Sequence, residues 1–439
     1  MPMQASPKSH LLGVLVWLNC TCLGQHVYAQ TLAPSLLVTT VAQAVATHPS
    51  VQAARENRLG SVASYEAARW QYYPSPNVTT ERSIYQTQRN QSDSTLTALS
   101  LRQNLWTGGR IDATVNAAQR RTEVSQTAIA EAQTNVAMRT LDAWVNLLTS
   151  FSRQQAARAN LERLQSLAEM MGRRVERDIS PGVDVVLMRS RLTQAQSELL
   201  SYRVSQENAT LRLTQWVGVN NGVQNLTNAD LALTLTESAE RLSEITASNI
   251  QLYLEKQPPL RRNEGEIAVA QEELQQKKAE IWPSVYLRVE RQFNDPGAAS
   301  FFGKTAETKL FLGLQYIPGA GLAVRSNIQV ADSRIAALQQ DRDSIRRELQ
   351  DRVNSDWREH LANGERLEYA VAAVRSANEV LESYTRLFVV GRRGWLDVLN
   401  AARELSLAEQ SLGDLQAQQV VGIYRLRMYQ GLFAWQNGG

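Results

Sequence analysis

Cysteine is nearly missing from this sequence: of 439 residues only Cys20 and Cys22 carry a thiol, and both lie in an apolar stretch near the amino terminus. Beyond residue 29 there is none, which excludes disulfide stapling and thiolate metal sites. Histidine is almost as scarce there, reduced to His48 and His360. Neither has motif company, so zinc catalysis and a Ser-His-Asp arrangement have no residues to build on. No sign of charge dominates, with 46 Lys+Arg against 43 Asp+Glu and a net +3. That balance gives no reason to expect nucleic acid. Without a nucleophile, metal cluster or phosphate loop, the residues point away from an enzyme and call for no cofactor.

Long hydrophobic runs are also missing. The longest, Leu11 to Leu23, is about 13 residues, short of the roughly 20 that a membrane helix needs. With Lys8 before it and the small residues of Val27-Tyr28-Ala29 after it, residues 1–29 read as a signal peptide. Cleavage there would start the mature chain at Gln30 and, by removing Lys8, lower the charge from +3 to +2. Trp17-Leu18-Asn19 before Cys20 and Asn19-Cys20-Thr21 before Cys22 do not fit a lipoprotein signal, so acylation is not expected.

What is present is a sequence that repeats itself once. His48-Pro49 is answered by Gln257-Pro258, and Tyr73-Pro74-Ser75 by Trp282-Pro283-Ser284, both at an offset of 209. Leu105-Trp106-Thr107-Gly108-Gly109 is answered by Tyr316-Ile317-Pro318-Gly319-Ala320. Asp184-Val185-Val186 is answered by Asp397-Val398-Leu399, at 213. Small loop insertions account for the drift. Two ordered copies imply that each half, 30–245 and 246–439, is one structural unit.

Within each half the order is helix, strand, strand, very long helix, turn, helix. Residues 50–72 and 258–281 are rich in helix formers and end at Pro74 and Pro283. The period then changes to two: Val285, Leu287, Val289 and Phe293 alternate with Tyr286, Arg288, Glu290 and Gln292. Strands are expected at 75–86, 95–106, 284–293 and 305–317, each roughly 10–12 residues, the length that crosses a bilayer when tilted. Soluble hairpins packed on helices would show the same pattern. In lipid, four strands cannot close a barrel and an open edge costs several kcal/mol per unpaired group, so such a barrel must be shared between copies. Residues 110–176 and 321–390 run helically without proline, roughly 100 Å each. The return helices, 184–217 and 396–436, carry matching three-to-four stripes, as in coiled-coil hairpins.

This organisation resembles the TolC family of bacterial outer-membrane channels over essentially all of 30–439. The resemblance is carried by the duplicated halves, the Tyr-Pro-Ser and Trp-Pro-Ser strand entries, and the Leu-Trp-Thr-Gly-Gly-Arg exit into a long helix. The turn beginning at Gly391 and running to Asp397-Val398-Leu399 adds to it. It implies a mainly α fold with membrane β: a homotrimeric 12-stranded β-barrel, four strands per protomer, continuous with a long periplasmic α-helical barrel. An equatorial region would come from about 218–245 and the carboxyl-terminal end. It further implies a passive exit duct in the Gram-negative outer membrane, set in outer-membrane lipid. A periplasmic adaptor would join it to an ABC or proton-driven inner-membrane transporter, for type I secretion or tripartite efflux. The lack of a lipid-anchor cysteine leans toward the secretion branch. The alternative is a secreted periplasmic coiled-coil scaffold without a channel.

The two helical turns, 177–184 and 389–397, would be the periplasmic tips. Carried over from the family, Arg393, Phe388 and Asp184 are expected to form a gate latch. Asp397 supplies the pore constriction, with Asn400 where a second acid would stand and Phe388 lacking the hydroxyl of a tyrosine. Asp184 and Asp397 also sit where a carboxylate caps a helix. Asp178, Ile179, Ser180, Pro181 and Gly182 in the first turn, with Val390, Gly391 and Arg392 in the second, would receive the adaptor. Asp178 stands where the second turn has glycine, and Ser180-Pro181-Gly182 serves equally as a plain turn. Trp395 is left without a role, packing at the tip or meeting the adaptor.

Overall fold

The computed structural model describes residues 36–86, 91–218, 223, 226–236, 254–295, 305–317, 323–431 and 433. The expected leader at 1–29, most of 218–245 and the centres of both strand-connecting loops lie outside the described residues. Helices α1 (Leu36–Thr47) and α2 (Pro49–Arg69) meet at His48. His48 caps α2: its Nδ1 accepts from the Ser50 amide at 3.2 Å, and its ring stacks on Trp216 at 5.0 Å. A short 3-10 turn, Trp70–Tyr72, leads through Pro74 into β1 (Ser75–Gln86) and β2 (Gln91–Trp106). Then come α3 (Arg110–Glu176), α4 (Gly182–Val217) and the short α5 (Asn228–Thr236). The order recurs as α6 (Pro258–Ala279), β3 (Ser284–Asp295), β4 (Thr305–Gln315), α7 (Val324–Val389) and α8 (Trp395–Gln430).

The long helices α3 and α7 have 67 and 66 residues with no interior proline, so each reaches about 100 Å. Their return helices α4 and α8 lie against them, and α3 also packs on α6 and α8. Two cores result. The larger, around Leu37, Leu141, Trp144, Leu213 and Val420, ties α1 to the middle of α3 and to the carboxyl-terminal parts of α4 and α8. The second, around Leu167, Met171, Met188, Val398 and Ala402, gathers all four helices near the turns. Between the cores, two guanidinium–carboxylate forks clamp α3 to α8: Arg153 on Asp414 at 3.0 and 2.7 Å, and Arg163 on Glu409 at 2.8 and 2.6 Å.

The strands form one antiparallel four-stranded sheet in the order β1-β2-β3-β4, so β1 and β4 are its edges. The central β2–β3 pairing joins the halves, with Leu101 opposite Val289 and a bulge between Asn104 and Trp106. Exposure alternates with the pleat. On one face Leu310, Leu312, Leu314 and Val78 stand open to solvent, while on the other Glu290 and Ala98 are buried. The covered side is the polar one, and the open side is apolar. Among the described residues no helix is long and apolar enough to cross a membrane.

Some boundaries differ from the sequence reading. Strand β2 starts at Gln91 rather than 95, because Gln91 to Ser94 pair through their backbones with Ser83 to Gln86 despite lacking apolar alternation. Strand β3 runs on to Asp295 and β4 stops at Gln315. Helix α4 begins at Gly182, two residues before Asp184, with Pro181 as its extended cap residue. Helix α8 ends at Gln430 rather than 436, stopped by Gly431 in the left-handed conformation (φ 71°).

Candidate functional site: the two helical tips

Both long helices stop with the same backbone motif. At the first turn the Ile179 amide donates to the Arg174 carbonyl at 2.9 Å and Asp178 is left-handed at φ 57°. At the second the Arg392 amide donates to the Leu387 carbonyl at 2.8 Å and Gly391 is left-handed at φ 75°. This is a helix stop in which one residue turns left-handed so that orphan carbonyls find donors. Asp178 and Gly391 occupy the same place in it. Aspartate is among the few side chains that tolerate this conformation, which explains how the first turn manages without glycine.

The charged residues then part company. Asp397 reaches back to the start of its own helix, its Oδ2 accepting from the Gly394 amide at 3.3 Å. Arg393 lies 3.6 Å from the same carboxylate oxygen, and its guanidinium covers the Tyr384 ring at 4.5 Å. Both members of that pair are 43% exposed, so its own worth is under about 1 kcal/mol. Arg393 and Asp184 are not paired within one protomer among the described residues. Asn400 faces a cleft of about 220 Å³ between α4 and α8, beside Arg191 and Arg403.

Phe388 is buried, with its ring 5.1 Å from that of Trp395. Trp395 is itself only 5% exposed, which answers the question its sequence position raised: it packs inside the tip. It joins the last turn of α7 to the first turn of α8. Ile179, Val390, Val183 and Leu396 stand exposed at the two turns.

A residue that sequence reasoning passed over connects the turns. Arg174, in the last turn of α3, donates from Nε to Ser180 Oγ at 3.2 Å and from Nη1 to the Val389 carbonyl at 3.1 Å. Its guanidinium also sits 4.8 Å from the centre of the Phe388 ring. One side chain from the first hairpin thus holds backbone and ring of the second. A signal for it was available: at the tip offset of 213, Arg174 answers Leu387, an arginine where the other half has an apolar residue.

The family model for outer membrane efflux protein matches this chain over residues 40–219 and 249–431. The chain belongs to that family. Among relatives of this efflux-family protein, the alkaline protease secretion protein AprF of Pseudomonas aeruginosa is 23% identical over 297 residues. The match spans 67% of this chain and 61% of AprF's length. Solved outer-membrane channels share the fold. A membrane protein from Pseudomonas aeruginosa superimposes with a TM-score of 0.76 at 16% identity, covering 90% of each chain. The open state of the Neisseria gonorrhoeae MtrE outer membrane channel gives 0.72 at 16% identity, covering 90% of this chain and 88% of the other. VceC of Vibrio cholerae gives 0.71 at 15%, covering 89% and 95%. The family member described here thus shares its long helices and small sheet with outer-membrane channels.

Proposed function

We propose that three copies of this chain close a 12-stranded barrel in the outer membrane, with the halves 30–245 and 246–439 as structural repeats and the long helices as a periplasmic tunnel. The protein is then an exit duct and does no covalent chemistry. Energy comes from an inner-membrane transporter joined through a periplasmic adaptor. AprF, named for protease secretion, supports type I secretion as the first system to test, with small-molecule efflux as the second.

The observation that carries this reading is the four-stranded sheet, apolar on its open face and ending in two edge strands, beside helices of about 100 Å. A sheet in lipid has to close, because unpaired backbone groups cost several kcal/mol each. Closure needs further copies, and identical copies joined head to tail form a ring.

The tips are the gate in this proposal. Asp397 narrows the bore, one acid per protomer, with Asn400 a turn further on. Arg393 and Asp184 latch neighbouring protomers, and Phe388 supports them by packing. Within each protomer Arg174 clasps the two turns. Asp178 to Gly182 and Val390 to Arg392 offer the adaptor a surface that includes the exposed Ile179 and Val390. Fractionation tests the whole: a heat-modifiable trimer in outer-membrane fractions is expected, whereas a soluble periplasmic monomer would point to the scaffold alternative. For the latch, Arg393→Ser and Asp184→Ala should each raise single-channel conductance; unchanged conductance in both removes it.

A further inference from the structure

Along β4 the residues Lys309, Phe311, Gly313 and Gln315 are partly covered while their neighbours are open, and on β3 Glu290 and Gln292 follow the same rule, with Arg288 on their side of the strand. These side chains share the covered face. On that face Arg102 of β2 stands directly opposite Arg288 of β3. Like charges in that position are destabilising unless something offsets them. Here two aromatic rings do: the Arg102 guanidinium lies 3.9 Å over Tyr286 and that of Arg288 lies 4.6 Å over Phe311. Tyr286 can lie flat across β4 only because its partner is Gly313; a Cβ there would come within 2.4 Å of the ring. The pair is therefore supported by a shaped bed of side chains.

The neighbouring charges leave the pair a surplus. Glu290 lies 3.4 Å from Arg288 and also accepts from Gln292. Lys309 pairs with Glu307 at 3.1 Å. Among the described residues Arg102 has only neutral partners, the Tyr286 ring and Gln315 Oε1 at 2.7 Å. Arg288 Nε is buried with no partner among the described residues. Two guanidinium groups stand side by side with one carboxylate beside them, and the Arg288 side chain is still 38% exposed, so the pair offers forked donors to an oxyanion.

We propose that Arg102 and Arg288 form an oxyanion-recognition site on the luminal face of the barrel, taking carboxylate groups of cargo in transit. This rests on the channel reading above. In a trimer the site recurs three times around a narrow bore, where wall charges focus the local concentration of counter-ions.

The test uses purified protein in planar bilayers under a tenfold KCl gradient, with citrate and poly-glutamate as blockers. Replacing both residues, Arg102→Gln with Arg288→Gln, should lower the chloride-to-potassium permeability ratio on the order of threefold. Citrate block should weaken on the order of tenfold. The pair Arg102→Lys with Arg288→Lys should keep the permeability ratio yet lose part of the citrate block, since lysine lacks the fork. Arg291→Gln, on the open face, should change neither. Block by citrate alone assigns the site to small organic acids; block by poly-glutamate as well extends it to acidic polypeptides. Conducting channels whose selectivity and citrate block are unchanged by the glutamine pair overturn the site. If that pair fails to assemble, the lysine pair decides, and full citrate block in it overturns the proposal. Protein that forms no channel at all removes the channel reading, and the site with it.

Discussion

Replacing Arg174 by glutamine is the sharpest perturbation of the proposed gate. The side chain makes one charge-assisted hydrogen bond across the tip, to the Val389 carbonyl, and one ring contact with Phe388, while its bond to Ser180 Oγ stays within its own turn. In water-accessible surroundings the two contacts that cross the tip contribute about 2 kcal/mol per protomer. Since 1.4 kcal/mol is a factor of ten, losing the clasp in one protomer shifts a two-state gate by about thirtyfold. If opening separates the two hairpins, Arg174→Gln should raise the open probability in planar bilayers, and Arg174→Lys should fall between it and wild type because lysine keeps charge without the fork. Arg173→Gln is the control: Arg173 is exposed and lies 4.0 Å from Glu169 on its own helix. Unchanged open probability in Arg174→Gln, with trimer intact, would refute the reasoning and mean that the two turns move as one body.

Three further outcomes are expected. Trp395→Ala leaves a cavity against Phe388 in a site only 5% exposed and should cost about 3–5 kcal/mol, read as a lower melting temperature of the purified protein by circular dichroism. Gly391→Ala puts a side chain at φ 75° and should cost about 1 kcal/mol in the same assay, whereas Asp178→Gly should be nearly neutral. His360 is buried beside Asp356, Glu359 and Arg425, and burial holds its imidazole below the ordinary value of 6.5. A depressed pKa means that stability is fully present above pH 6.5 and is lost as pH falls through the lower, folded value. His360→Gln should flatten the acid side of a stability profile; an unaltered profile would show that another group sets it.

Local signals in the chain were strong where they were backbone signals. The first long helix covers 110–176 in both sequence and structure, because Gly108-Gly109 open it and no proline interrupts it. The period-two pattern of Val285 to Phe293 led directly to a strand, while Gln91 to Ser94 had no such pattern and joined β2 through main-chain pairing alone. The tips were legible as turns but not as contacts. Arg393 was matched to Asp184 by analogy, yet within the protomer it lies 3.6 Å from Asp397, a contact made from the turn just before α8 to that helix's own first turn. Arg174 reaches Val389, 215 residues away, and no local pattern encodes a contact of that range. The same holds for Tyr429, which donates to Asp356 at 2.8 Å from a different helix.

The central claim is that edge strands β1 and β4 pair between copies. Within one protomer β2 and β3 separate them, placing them about 14 Å apart, too far for a disulfide, whose Cα atoms must lie within about 7 Å. Cysteines are therefore introduced one per edge, Thr80→Cys in β1 with Thr308→Cys, Leu310→Cys or Leu312→Cys in β4, and cells are oxidised before denaturing electrophoresis. A covalent trimer at one of these registers, absent from either single-cysteine variant, is the result the shared barrel predicts. Monomer alone at every register along β4 would contradict it.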